Sequence, residues 1–316
     1  MLKIFSCLFF MSVTLYAQDS TLGWLDNNAS PIKSASLPDE SDDLRFLSGL
    51  LKDKYVVGLG EASHGTHEFY VQKGRIIKYL VLEEGYKMLA LEATSGTIEP
   101  LDKFVRYGTG DLKGILKSMG LYNCKEMYDL CIWLMDYNKT KPEKDKFILA
   151  GVDNEEYWAD PYTRDELMAG NLIEKQHASQ CKTIIWSHNL HIAKDTTMAE
   201  FKAMGYHIKE KFGPAFYVIG FDTYKGSVNV LDNNGKFEKH IFEGKPLTFS
   251  GLFSKVRYEA FFIDFTAASN PMKDQVNKIT NLYSNWRTPA PLPVRLGSDF
   301  DGLIFIRETT ASISLE

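Results

Sequence analysis

Cysteine is scarce, with four in 316 residues, and Cys7 sits in the N-terminal apolar run, leaving Cys124, Cys131 and Cys181 in the body of the chain. Cys124 and Cys131 lie seven apart on an expected helix, about two turns or 10 Å apart along its axis, too far for a disulfide. There is no C-x-x-C pair either, so a disulfide scaffold and a structural zinc site are both excluded, and buried free thiols are the expectation. Basic charge is equally short. A net charge of -5, a pI of about 5.9 and the lack of any Lys/Arg cluster exclude a nucleic-acid footprint. Beyond Tyr16 no apolar run approaches the roughly 20 residues a membrane-spanning helix needs, and there is no internal repeat or low-complexity tract.

What is present is a globular composition, 44% hydrophobic and 24% charged, enough for the core of one large domain or two small ones. Met1-Leu2-Lys3, the apolar run Ile4 to Tyr16 and Ala17-Gln18-Asp19 have the layout of a secretory signal peptide with cleavage after Ala17. That layout predicts export, to a periplasm or the cell exterior, and no membrane association after cleavage. Residues 18–42, rich in Ser, Asp, Asn and Pro, read as a mobile N-terminal segment, leaving 43–316 as the folded domain.

Within that domain, apolar runs that end on polar groups alternate with helical spacing. Strands are expected at 55–60, 86–92, 147–152, 183–186 and 215–222, with shorter ones near 227–231 and 237–242 and apolar runs at 260–265 and 302–306. Helices are expected at 67–84, 164–179 and 198–212, and a helical excursion at about 97–140. The Pro-rich stretch 288–293 reads as loop. This alternation predicts an α/β fold: a mostly parallel central sheet with helices on both faces and the helical excursion over the carboxyl ends of the strands.

Those carboxyl ends carry the chemistry. Gly58 and Gly60 permit a tight turn or close approach, Thr66 is placed as a helix N-cap, and Glu61 and His64 share the turn between them. Glu92, Asp153, and His188 with His191 end three further strands. In a sheet such ends converge on one pocket, although a capping Asp or a satisfied core histidine explains any one of them singly.

The stretch Gly60-Glu61-Ala62-Ser63-His64-Gly65-Thr66-His67-Glu68-Phe69 resembles the signature of the erythromycin esterase family, and Leu89-Ala90-Leu91-Glu92-Ala93 and Trp186-Ser187-His188-Asn189-Leu190-His191 are similar to its second and third blocks. Weaker likeness at Ala150–Asp153, Phe262–Asp264 and Phe300–Phe305 extends it over roughly residues 45 to 310. The resemblance implies metal-independent hydrolysis of a carboxylic ester or lactone, with a link to antibiotic response. On it His64 is the general base that activates water, Glu61 holds and polarises His64, and Glu92 and His188 complete the pocket. Substrate contacts fall to Arg75, His191, Asp153 and His67. The chain looks shorter than the family members that open macrolide rings, which suggests a different or smaller substrate.

The chemistry fits those roles. An imidazole of pKa near 6.5 can take a proton from water in the transition state, and a neighbouring carboxylate fixes its tautomer and stabilises the imidazolium. Donors to an oxyanion would be His188, Arg75 or backbone amides near Gly65. Tyr70, Tyr122, Tyr128, Tyr157, Trp158 and Trp186 suit an apolar substrate or the core. Ser63 is a competing nucleophile, but its glycine stands three residues earlier, not two as in the G-x-S-x-G elbow, and a helix-capping role suits it better. Two alternatives stay open: a metal site built from His64, His67, His188, His191, Glu61 and Glu92, and binding of haem or another planar ligand without turnover. The favoured hydrolase needs no cofactor and no partner beyond its small-molecule substrate, and the oligomeric state is not legible.

Overall fold

The structure, a computed structural model, describes residues 20–33, 41–286 and 290–315. The leader expected over 1–17 lies outside them. In chain order the elements are α1 (residues 20–28), β1 (Ser30–Pro31), α2 (Phe46–Leu51), β2 (Val56–Leu59), α3 (His67–Glu83), β3 (Met88–Thr94), α4 (Ser95–Tyr107), α5 (Leu112–Lys117), α6 (Lys125–Lys139), β4 (Ile148–Asp153) and α7 (Pro161–Ser179). They continue with β5 (Thr183–Trp186), α8 (Asn189–Ile192), α9 (Met204–Phe212), β6 (Phe216–Leu231), β7 (Phe237–Glu243), α10 (Phe249–Phe253), β8 (Ala260–Asp264), β9 (Val276–Ile279), β10 (Leu292–Arg295) and β11 (Gly302–Thr309). Among the described residues no helix is long and apolar enough to cross a membrane.

Nine strands form one sheet in the order β1-β8-β11-β6-β2-β5-β3-β4, with β7 paired to β6. The six strands from β11 to β4 run parallel, while β8 joins β11 antiparallel. A parallel sheet buries both faces, so its strands are apolar throughout. Alternate residues serve the two faces here: Val57, Leu59, Leu89, Leu91, Ile184 and Trp186 pack with α3, α4 and α6, whereas Val56, Ala90, Ile185 and Val218 pack with α7, α9 and α10. Helices thus cover both sides, and the excursion of α4 to α6 lies on one of them.

Four expectations need correction. Residues 20–33, read as mobile, are tied down: Leu25 and Ala29 bury in the second core and Ser30 pairs with Phe262 of β8. The helix expected from 198 starts only at Met204, since Glu200 takes a left-handed φ of 61° that a helix cannot pass through. The strands read separately at 215–222 and 227–231 are one, β6, whose far half leaves the sheet to form a hairpin with β7. In the Pro-rich stretch Leu292 and Pro293 belong to β10, which among the described residues has β9 alone as ladder partner, so the missing N–H of Pro293 can face away from it.

Candidate active site

The sheet's register assembles the site. Leu59 of β2, Trp186 of β5 and Leu91 of β3 are aligned in one row, and Gly151 of β4 is aligned with Leu91. One or two residues beyond that row stand Glu61, His188, Glu92 and Asp153. The four groups are therefore neighbours because their strands are, in the order β2-β5-β3-β4. Gly60 is required by close approach, since a Cβ there would lie 2.2 Å from Asn189 Oδ1, and one on Gly65 would lie 1.8 Å from the Asn229 carbonyl oxygen.

Glu61 is the buried centre. Its Oε1 meets His64 Nδ1 at 2.6 Å, and its Oε2 accepts from Lys73 Nζ at 2.6 Å and Trp186 Nε1 at 2.9 Å. Burial pushes this carboxyl up, but the Lys73 ammonium, helped by His64, outweighs it and holds the group below the usual carboxylate range. An ionised Glu61 only accepts, so His64 Nδ1 carries the proton and Nε2 presents a lone pair. Burial pulls the His64 imidazole down, while Glu61 and the more distant Glu92 raise it to a net upward shift. Tyr70 donates its hydroxyl to the His64 carbonyl, which fixes the turn.

His188 lies with its ring 5.2 Å from that of His64. Its Nδ1 accepts from Leu190 N at 3.2 Å, capping α8, so its proton belongs on Nε2. That nitrogen is buried and has no partner among the described residues. Burial, reinforced by His64, lowers the imidazole to about 3 and keeps it a neutral donor. Tyr122 likewise has a buried, unpartnered hydroxyl, which burial holds protonated.

Glu92 binds His188 N at 2.9 Å through Oε2, while Oε1 lies 3.4 Å from His191 Nε2 and 3.6 Å from Arg164 Nη2. Burial opposes its charge, but these cations and His64 bring it down to about 2. His191 in turn holds Asp165 through Nδ1 at 2.9 Å. Burial disfavours its charge, and Glu92 with Asp165 reverses the balance to a pKa of about 8. Asp153 accepts from Trp158 Nε1 and Arg164 Nη2, both at 2.8 Å. His64, Glu92, Tyr122, Asp153, Trp158 and Arg164 line an open cavity of about 430 Å³, closed on its far side by the loop after α5.

Two expected substrate residues are elsewhere. Arg75 pairs with Asp43 at 2.6 Å and Gln72 at 2.8 Å, and His67 pairs with Glu126 at 2.5 Å; both line a separate cavity of about 130 Å³. Helical phase explains it: Lys73 faces the site, and Arg75 two residues on is turned by about 200°. Ser63 does not cap α3; its Oγ accepts from Gly65 N at 3.2 Å and Thr66 Oγ1 at 3.1 Å, closing the turn before the helix. The residues missed are Lys73, Arg164 and Asp165. Lys73 carried a signal, for it lies on the buried stripe Phe69, Lys73, Ile76, Leu80, where an unpaired ammonium is untenable. Among the described residues no three His, Cys, Asp or Glu side chains are arranged to hold a metal ion.

A family model described as Erythromycin esterase matches residues 81–161 and 153–309, beginning downstream of the Glu61–His64 turn. The Bacillus subtilis protein named "Putative hydrolase YbfO" is 36% identical over 131 residues, 41% of this chain and 28% of that relative, so the match spans under a third of the longer protein. A solved structure of a succinoglycan biosynthesis protein superposes with a TM-score of 0.83 at 20% identity, covering 93% of this chain and 98% of the other. A mutant of the erythromycin esterase EreC in its open conformation gives a TM-score of 0.68 at 13% identity, covering 89% and 98%. These two likenesses establish a shared fold.

Proposed function

The chain belongs to the erythromycin esterase family, and from that premise we propose that it is a hydrolase cleaving a carboxylic ester or lactone with water as the nucleophile. The observation that carries this reading is the Glu61–His64 pair: an ionised, buried carboxylate fixes Nδ1–H, leaving His64 Nε2 as a base beside an open cavity. Water held between Nε2 and the substrate carbonyl gives its proton to His64 as its oxygen bonds to the carbonyl carbon. The resulting imidazolium is stabilised by Glu61, and general-base assistance of this kind is worth about 10²- to 10⁴-fold. The tetrahedral oxyanion needs donors already in place, and His188 Nε2–H, on the ring beside His64, and Tyr122 Oη–H, in the cavity wall, are both buried with no partner among the described residues. Collapse expels the alkoxide, to which His64 returns the proton.

Lys73 and Trp186 act through Glu61, holding its charge and position rather than touching substrate. The test is a panel of carboxylic esters and lactones followed by acid release. Turnover of at least one by the wild type, and a loss of about 10²-fold or more in His64→Ala, supports the assignment. A panel untouched by the wild type, or cleaved equally by His64→Ala, overturns it.

A further inference from the structure

Trp158 is a large aromatic side chain left 55% exposed at the mouth of the catalytic cavity. Its indole is not free to turn, because Nε1 donates to Asp153 Oδ2 at 2.8 Å, and the same carboxylate oxygen accepts from Arg164 Nη2 at 2.8 Å. Asp153 Oδ1 is bound by Asn154 N at 2.9 Å and by Arg164 Nε at 3.4 Å. The guanidinium therefore uses Nε and Nη2 on Asp153, and Nη1 has no partner among the described residues. A rigid apolar ring face and one unpartnered guanidinium nitrogen thus stand side by side at the catalytic cavity.

Thr94, Thr97, Ser118 and Ser284 line the same cavity together with Met119, Leu121 and Leu231, but the Thr94 and Thr97 hydroxyls bond each other and Ser118 donates to the Ile115 carbonyl, so Arg164 Nη1 is the charged donor left for a ligand. A purely aliphatic or aromatic group on Trp158 would cover the ring but strip water from the Arg164 guanidinium without replacing it, which weakens binding. A flexible polyol chain would satisfy the donors and waste the ring. What matches both is a ring with an apolar C–H face and hydroxyls at its edge.

We propose that Trp158, with Arg164 beside it, forms a subsite for a hydroxylated saturated ring, a pyranose or cyclic polyol, carried by the ester substrate. The proposal rests on the hydrolase assignment for its kinetic arm alone. The ring stacks on the indole, Arg164 donates to a ring hydroxyl, and the ester reaches down to His64.

The kinetic arm compares an acetylated methyl glucopyranoside with benzyl acetate and n-butyl acetate in the wild type, Trp158→Ala and Trp158→Phe. Expected are a lower KM for the sugar ester, a roughly ten-fold rise of that KM in Trp158→Ala with kcat within two-fold, recovery in Trp158→Phe, and n-butyl acetate unaffected. A KM rise on benzyl acetate alone, or an equal rise on all three, overturns the proposal. The binding arm needs no turnover: methyl glucopyranoside, methyl galactopyranoside and myo-inositol are titrated while indole fluorescence is read in the wild type and Trp158→Phe. A saturable change with any of them in the wild type, absent from Trp158→Phe, supports the subsite even if no ester is cleaved; no change with all three overturns it and leaves the hydrolase assignment standing on its own panel.

Discussion

Replacing both members of the Lys73–Glu61 pair should harm the fold less than replacing either one. Nζ and Oε2 lie 2.6 Å apart with both side chains fully inaccessible, so each ion depends on the other for its solvation. Lys73→Met leaves Glu61 facing His64 and Trp186 with no permanent cation, and Glu61→Gln leaves an ammonium that burial has already lowered to about 8. Breaking a buried pair by removing one partner typically costs about 3–5 kcal/mol, against a total stability of about 5–15 kcal/mol. Exchanging the pair for neutral groups of similar volume is often close to neutral. The loss in the Lys73→Met/Glu61→Gln double variant should therefore be smaller than the sum of the single losses by on the order of 2 kcal/mol or more. Equilibrium urea unfolding of the four proteins at pH 7 measures this. Additive losses would show that Lys73 is solvated by something other than Glu61 and would refute its role as the carboxylate's counter-ion. In activity the double variant should be as impaired as Glu61→Gln, because both lack the charge that fixes His64.

Three other outcomes are expected. Ser63→Ala should keep kcat/KM within a few-fold while losing about 1 kcal/mol from its turn, and loss of activity on the scale of His64→Ala would return Ser63 to consideration as nucleophile. Arg75→Gln should leave kcat/KM unchanged and lower the urea midpoint, since its bond to Asp43 is structural; a selective loss of activity would contradict its placement. Burial raises Asp222 to about 7. A carboxyl raised in the folded state stabilises most below its unfolded pKa, and that contribution is lost as pH rises from about 4 to about 7, up to roughly 4 kcal/mol. Asp222→Asn should therefore flatten stability against pH over that window, and an unaltered slope would show the acid to be ionised.

Much of this could be read from the chain because a parallel sheet announces itself: Val56–Leu59, Met88–Leu91 and Thr183–Trp186 are apolar on both faces, and the rule that chemistry gathers at carboxyl ends then picks out Glu61, Glu92 and His188. Strand order could not be read. Had β2, β3, β4 and β5 lain in sequence order, His188 would sit three strands from Glu61; it is the insertion of β5 between β2 and β3 that sets its ring beside His64. Helical phase was the second blind spot, decisive for Arg75 and His67 on the first helix after the turn. A charged residue there reads as solvent-facing or site-facing with equal ease until the partner is known, and the partners, Asp43 and Glu126, are remote in sequence. Lys73 was the exception, marked by its place on an apolar stripe.

The most direct test of the His64 base is kcat/KM against pH for a hydrolysed ester, in the wild type and Glu61→Gln. His64 is raised above 6.5 by Glu61, so activity should fall on the acid side along a limb with an apparent pKa above 6.5. In Glu61→Gln the imidazolium loses that support, so the limb should move to lower pH while the plateau drops by about 10²-fold or more. A limb that stays in place when Glu61 is neutralised, or that moves to higher pH, would mean that His64 is not the group taking the proton.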